Sequence, residues 1–187
     1  MRLTNLTIFT AATLLMEFGW GLVGPFYYLY VNELGGGDIQ QFGIAFGIMY
    51  FTAALASLVV GKYSDKLGRK PFMIGTALMY AIVIYSYTLI TSEIQLYMAQ
   101  AVIGILGTVE RTVNITFLGD VTKKSKRGFQ IGVFHSLVEM FAGIAIIAGG
   151  FLIGQTGFEI IFYIVSILIV IGAVMLLGVK ESVRKRR

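Results

Sequence analysis

Six apolar stretches dominate this 187-residue sequence, each close to the ~20 residues an α-helix needs to cross a ~30 Å hydrocarbon layer. They fall at about 7–31, 39–61, 71–91, 94–118, 128–153 and 159–179. Transmembrane strands would alternate polar and apolar residues over ~10 positions. The run FYIVSILIVIGAVMLLG, Phe162 to Gly178, does not alternate. The stretches therefore predict an all-α membrane protein, a single domain over 1–187 with six transmembrane helices, numbered here as spans 1 to 6. Charged residues make up 13% of the chain, about half the share in a soluble domain, which excludes an ordinary soluble enzyme. There is no cysteine, so thiolate metal sites, disulfide scaffolds and Cys nucleophiles are excluded, and neither a metal nor an organic cofactor is expected. Pro71 suits the first turn of span 3. Pro25, following Gly19, Gly21 and Gly24, predicts a kink in span 1.

The charges then orient the chain. Of fifteen Lys and Arg residues, all but Arg111 lie at the N-terminus, between spans 2 and 3, between spans 4 and 5, or at the C-terminus. The other connections carry only the acids Glu33, Asp38, Glu93 and Glu159. By the positive-inside rule both termini are expected in the cytoplasm, with the chain in the cytoplasmic (inner or plasma) membrane. The basic clusters are read as topological and facing lipid headgroups, and no nucleic-acid partner is expected.

Five ionisable residues remain inside the spans: Glu17 in span 1, Glu110 and Arg111 in span 4, and His135 and Glu139 in span 5. Each lies roughly 7–11 residues from the cytoplasmic end, about 10–16 Å deep at 1.5 Å per residue. A charge at the centre of a span costs at least ~2.5–3.5 kcal/mol, so such groups usually face protein or water rather than lipid. A buried network fixing helix packing is one reading; a proton or substrate pathway is the favoured one. Helical periodicity places Gln100, Gly104, Gly107, Arg111 and Asn114 on one stripe of span 4, with Glu110 at its edge. His135 and Glu139 stand one turn apart on span 5. Trp20, Tyr27 and Tyr50 are candidate substrate contacts, with Gln100 and Asn114 from the span 4 stripe. Tyr28, Tyr30 and Tyr97, near span ends, are read as interfacial anchors.

The loop between spans 2 and 3 reads GKYSDKLGRK, with Gly61, Asp65, Lys66, Gly68, Arg69 and Lys70 in fixed spacing. It resembles the signature loop of the major facilitator superfamily. A second echo, GDVTKKSKRGFQIG, places Asp120 ahead of the Arg127–Gly128 pair and is similar to that family's loop between helices 4 and 5. The resemblance covers essentially the whole chain but only one six-helix half of a twelve-helix fold. It implies a secondary active transporter of a small solute with a gating role for these loop residues. Two departures stand out. Gln100 occupies the position of a family Arg in span 4, and Ala145–Ile146 replace the Gly-Pro pair of drug antiporters, so a drug-antiporter assignment loses support.

One half-bundle gives one cavity wall. A homodimer about a two-fold axis normal to the membrane is the expected way to complete it, alternating access between the two sides. In the family the loop 2–3 Asp rests on the start of the eleventh helix. Asp65 is therefore expected to cap the partner's span 5, near Arg127 and Gly128. Arg111 is expected to pair with one acid, Glu139 foremost, leaving Glu17 or Glu110 to carry the proton that couples transport to the gradient. Two other readings stay open: the N-terminal half of a twelve-helix transporter needing a different C-terminal half, and an accessory or sensor protein without transport. An intramembrane hydrolase would need a nucleophile–base pair, which Ser136 beside His135 does not form.

Overall fold

In the computed structural model, residues 4–35 and 39–180 are described, with 35 and 61–67 described by their backbone alone. Thr4, in an extended conformation, accepts from Thr7 N at 3.2 Å and starts α1 (Asn5–Val23). A 3-10 turn at Gly24–Phe26 follows where Pro25 withholds an N–H, and α2 (Tyr27–Gly35) continues beyond it. Then come α3 (Ile39–Leu67), α4 (Lys70–Ser86, with Pro71 in its first turn), α5 (Glu93–Val121, capped by Ser92) and α6 (Arg127–Leu176). Gly68 makes the turn from α3 to α4 with φ 89°, a left-handed conformation that glycine adopts without Cβ strain.

Among the described residues, five helical runs are long and apolar enough to cross a membrane. The last covers both of the final two stretches expected from the sequence. Its 50 helical residues would extend about 75 Å if straight. They do not run straight, because Gly157 has φ 75° and ψ 178°. Contacts with α1 show the result. Along the first limb (127–156), Phe134 stacks on Phe9 at 5.6 Å, Ala145 abuts Gly21, and Gly149 abuts Leu22. Along the second limb (158–176), Val165 abuts Gly19 and Gly172 abuts Met16 and Ala12. The first series ascends with α1 and the second descends, so α6 folds back on itself at Gly157.

The other helices alternate likewise. Tyr80 meets Trp20 and Tyr87 meets Tyr27, so α4 runs parallel to α1 and α2. Gln41 bonds Glu93 and Thr108 Oγ1 donates to Ala53 O at 3.0 Å, so α3 and α5 run together. Ser166 Oγ donates to Ala81 O at 3.0 Å and Lys70 Nζ to Leu177 O at 2.7 Å, which sets the second limb antiparallel to α4. Asn5 closes one end of the bundle, donating to Lys180 O at 2.5 Å and accepting from Lys180 N at 3.0 Å. Arg69, Lys70, Arg127 and Lys180 gather at this end, and Glu93 and Glu159 at the other.

Glycines set the closest approaches. A Cβ on Gly172 would stand 2.6 Å from Met16 Cγ, and one on Gly21 would stand 2.7 Å from Ala145 Cβ. At Gly149 and Gly104 it would run into the backbone of Leu22 and of Met49. Small residues admit this approach, and dispersion between the closely packed helices supplies the attraction that apolar lipid cannot. The core around α1 is fully buried at Phe9 and Leu22 toward the first limb and at Ile84, Ile161, Phe162 and Ile169 on α4 and the second limb.

Tyr30 corrects the sequence reading. It is 6% exposed, and its hydroxyl donates to Tyr87 O at 2.7 Å, so it is a core residue and not an anchor at the membrane surface. The 3-10 turn rotates the register of α2, turning Tyr30 inward, while Tyr28 stays exposed.

Candidate functional site

Two adjoining features stand out around α1. The first is a set of carboxylates. Glu17 of α1 and Glu110 of α5, both half-buried, lie within Coulombic reach of each other, and Glu139 of α6 lies within reach of Glu17. Tyr80 of α4 faces both Glu17 and Glu110. Gly107 makes room for it, since a Cβ there would stand 3.1 Å from the Tyr80 hydroxyl. Among the described residues, no three His, Cys, Asp or Glu side chains come close enough to share a metal ion.

The second feature is a cavity of about 100 Å³ on the far side of Trp20. Trp20 meets Tyr80 edge-on at 5.2 Å and 79°, and so separates the cavity from the carboxylates. Tyr27, Tyr87, Gln100, Phe46 and Phe162 line the cavity with Trp20 and several aliphatic side chains. Three of the five candidate substrate contacts thus surround one space. Tyr50 does not, being 68% exposed on α3, and Asn114 is half-buried away from it. Tyr87 was not legible as a lining residue, because it sits in a 3-10 turn at the end of α4 where tyrosine usually marks the membrane surface.

The stripe assigned to α5 divides between two neighbours. Gly104 packs on α3 at Met49 and Thr52, whereas Gly107 and Glu110 face Tyr80. Glu110 therefore points inward where the sequence reading favours Arg111, one residue and about 100° further round. Arg111 is exposed, as are His135 and Glu139, and the expected Arg111–Glu139 ion pair is not formed among the described residues. His135 packs edge-on against Phe134 at 5.4 Å.

At the basic end, Arg69 forms an ion pair with Asp120 and donates to Thr116 O at 3.1 Å. Arg127 Nη2 donates to Gly119 O at 2.7 Å, and its Nε to Thr122 Oγ1 at 3.3 Å. Two arginines thereby occupy the negative end of α5, where cations are favoured. The side chains of Gly61–Leu67, with the expected role of Asp65 as a latch and the place of Lys66, lie outside the described residues.

The sequence profile of the Major Facilitator Superfamily matches residues 9–187. The chain belongs to that superfamily. It is a superfamily of transporters, not enzymes, and its members are multi-pass membrane proteins. Among superfamily relatives, an uncharacterized MFS-type transporter, YitZ, of Bacillus subtilis is 28% identical over 162 residues, which cover 87% of this chain and 98% of that one. The multidrug resistance protein MdtG of Proteus mirabilis is 32% identical over 183 residues, 95% of this chain. An uncharacterized MFS-type transporter, MJ1560, of Methanocaldococcus jannaschii is 23% identical over 171 residues, 91% of this chain. The chain spans 45% and 44% of the length of these last two relatives.

Proposed function

We propose that the chain is one half of a proton-coupled secondary transporter of a small solute, working as a homodimer by alternating access. In this reading the chain crosses the membrane six times, α6 twice, with both ends on the cytoplasmic side. The clustering of Arg and Lys on that side supports this orientation. Homodimerisation is supported by the exposure of His135 and Glu139 midway along the first limb of α6 and of Arg111 on α5. Charged and titratable groups at that depth are costly against lipid, and a second bundle with a wet seam would receive them. A bacterial relative matched over 98% of its own length is compatible with half-length chains acting in pairs.

The observation that carries the coupling is that Glu110 and Glu139 each lie within Coulombic reach of Glu17, with no ion pair to a basic side chain among the described residues. Proton uptake removes one of several like charges held near each other, and its release restores the repulsion. A carboxylate that is alternately protonated and ionised as the seam opens to each side ties solute movement to the gradient. The loop residues around Arg69 and Asp120 would act as the gate at the cytoplasmic end. A second reading has its own support: relatives about twice as long match this chain over less than half their length, as expected if a different C-terminal half completes the transporter.

Proteoliposomes carrying an internal pH indicator, offered a panel of aromatic and amine solutes, test the coupling. Proton flux that depends on one solute is expected from the unaltered chain. It should be lost in Glu17→Gln or in Glu110→Gln, with solute binding retained. Full proton dependence in both variants would overturn the coupling.

A further inference from the structure

The cavity beside Trp20 contains two unsatisfied polar atoms. The Tyr27 hydroxyl and Gln100 Oε1 are buried with no hydrogen-bond partner, and their residues are only 9% and 3% exposed. Tyr27 stands within side-chain hydrogen-bonding reach of Gln100 and Tyr87, but neither its hydroxyl nor Gln100 Oε1 has a formed hydrogen bond. An orphaned buried polar atom carries the full cost of its lost hydration, so both are poised to bond to whatever fills the space. Tyr27 can donate a hydrogen bond, and Gln100 Oε1 can only accept one.

The rest of the wall limits what that can be. Rings from Trp20, Tyr27, Tyr87, Phe46 and Phe162 form much of it, and among the described residues no charged side chain lines it. A charged molecule would lose its hydration with no counter-charge in return. A single water could bridge the two atoms, but the rest of the space faces rings and aliphatic side chains and does not offer further waters the 2–4 polar partners each needs. At about 100 Å³ the space is of single-ring size, somewhat smaller than the ~150 Å³ apolar cavity that takes benzene. Gly24 at its edge is exposed, with open space where a Cβ would stand, which leaves a way in.

We infer that this cavity is a binding site for a small, neutral, single-ring molecule bearing a hydroxyl or N–H group, of the phenol class, which donates to Gln100 Oε1 and accepts from Tyr27. As a statement of substrate class it rests on the transport reading above; as a statement of binding it stands alone.

Trp20 is the protein's one tryptophan and lines the site, so its fluorescence reports occupancy. Purified protein in detergent, without any gradient, is titrated with phenol and, separately, with benzene. Phenol should change Trp20 emission saturably, raise the Tm, and bind about tenfold or more tighter than benzene, the worth of one to two buried hydrogen bonds. Tyr27→Phe and Gln100→Leu should each weaken phenol about tenfold while leaving benzene unchanged, which also shows that the variants are folded. If Gln100→Leu does not fold, Tyr27→Phe, one oxygen different, decides. Absence of a saturable phenol effect would overturn the inference, as would equal affinity for phenol and benzene or indifference of phenol to the variants. Phenol binding without proton-coupled flux would leave this site standing and overturn only the transport reading.

Discussion

The two limbs of α6 flank the same helix, α1, and are built on opposite terms. The second limb is wedged between α1 and α4, and Phe158, Ile161, Phe162, Val165, Ile169, Gly172, Ala173 and Leu176 are buried along it. The first limb buries only Phe134, Ala145 and Gly149, and leaves His135, Glu139, Met140, Phe141 and Ile144 exposed. Both limbs are apolar enough for a membrane, so hydropathy alone does not separate them. Burial and charge do: the second limb completes the core of this bundle, whereas the first displays titratable groups that lipid does not tolerate cheaply. One limb supplies stability, and the other presents a surface.

Glycine replacements test this division with the largest effect. Gly172→Leu, on the second limb, drives a side chain into Met16 and should cost about 3 kcal/mol or more, read as a large fall in Tm in detergent. Gly143→Leu, on the first limb, meets nothing within 4 Å and should change bundle stability by less than about 1 kcal/mol, showing itself instead in a lower dimer fraction. Equal destabilisation would contradict this division between the limbs.

Polar groups sharpen it at a smaller scale. Ser166→Ala removes the hydrogen bond from the second limb to Ala81 and should cost about 1 kcal/mol of stability. Glu139→Gln on the first limb should leave the Tm unchanged and alter the pH dependence of solute-driven proton flux. Smallest of all, Asp120→Asn breaks the ion pair with Arg69 at the bundle end, where both groups are partly exposed, and should cost well under about 1 kcal/mol. A larger loss would mean that the basic end, not the second limb, holds the bundle together.

Much of this architecture was legible beforehand, for identifiable reasons. Segregation of basic residues to alternate connections anticipates the alternating helix directions, because both follow from a chain that crosses and recrosses one layer. Gly157, with its positive φ, lies between the fifth and sixth stretches, yet the helical run barely breaks there and reads as one element. The interior was less legible. Periodicity identifies a polar stripe on α5 but not which neighbour each residue meets, so it favours Arg111 where Glu110 turns toward Tyr80. Tyr30 and Tyr87 were hidden for another reason: each sits at or beyond a 3-10 turn, where the 3.6-residue period that assigns faces no longer holds. Trp20, Tyr27 and Gln100 share a wall because three helices meet there, and no single-helix pattern encodes such a meeting.

In the proposed homodimer the first limb of α6 faces a second copy of the chain. Because the protein has no cysteine, a single introduced thiol reports on one position without background. Ser136→Cys on the first limb and Ile171→Cys on the second, both at exposed positions, are compared by oxidative cross-linking in native membranes. A species of twice the 20.5 kDa chain mass is expected for Ser136→Cys and none for Ile171→Cys. Cross-linking through Ile171→Cys with none through Ser136→Cys, or through neither, would contradict this arrangement.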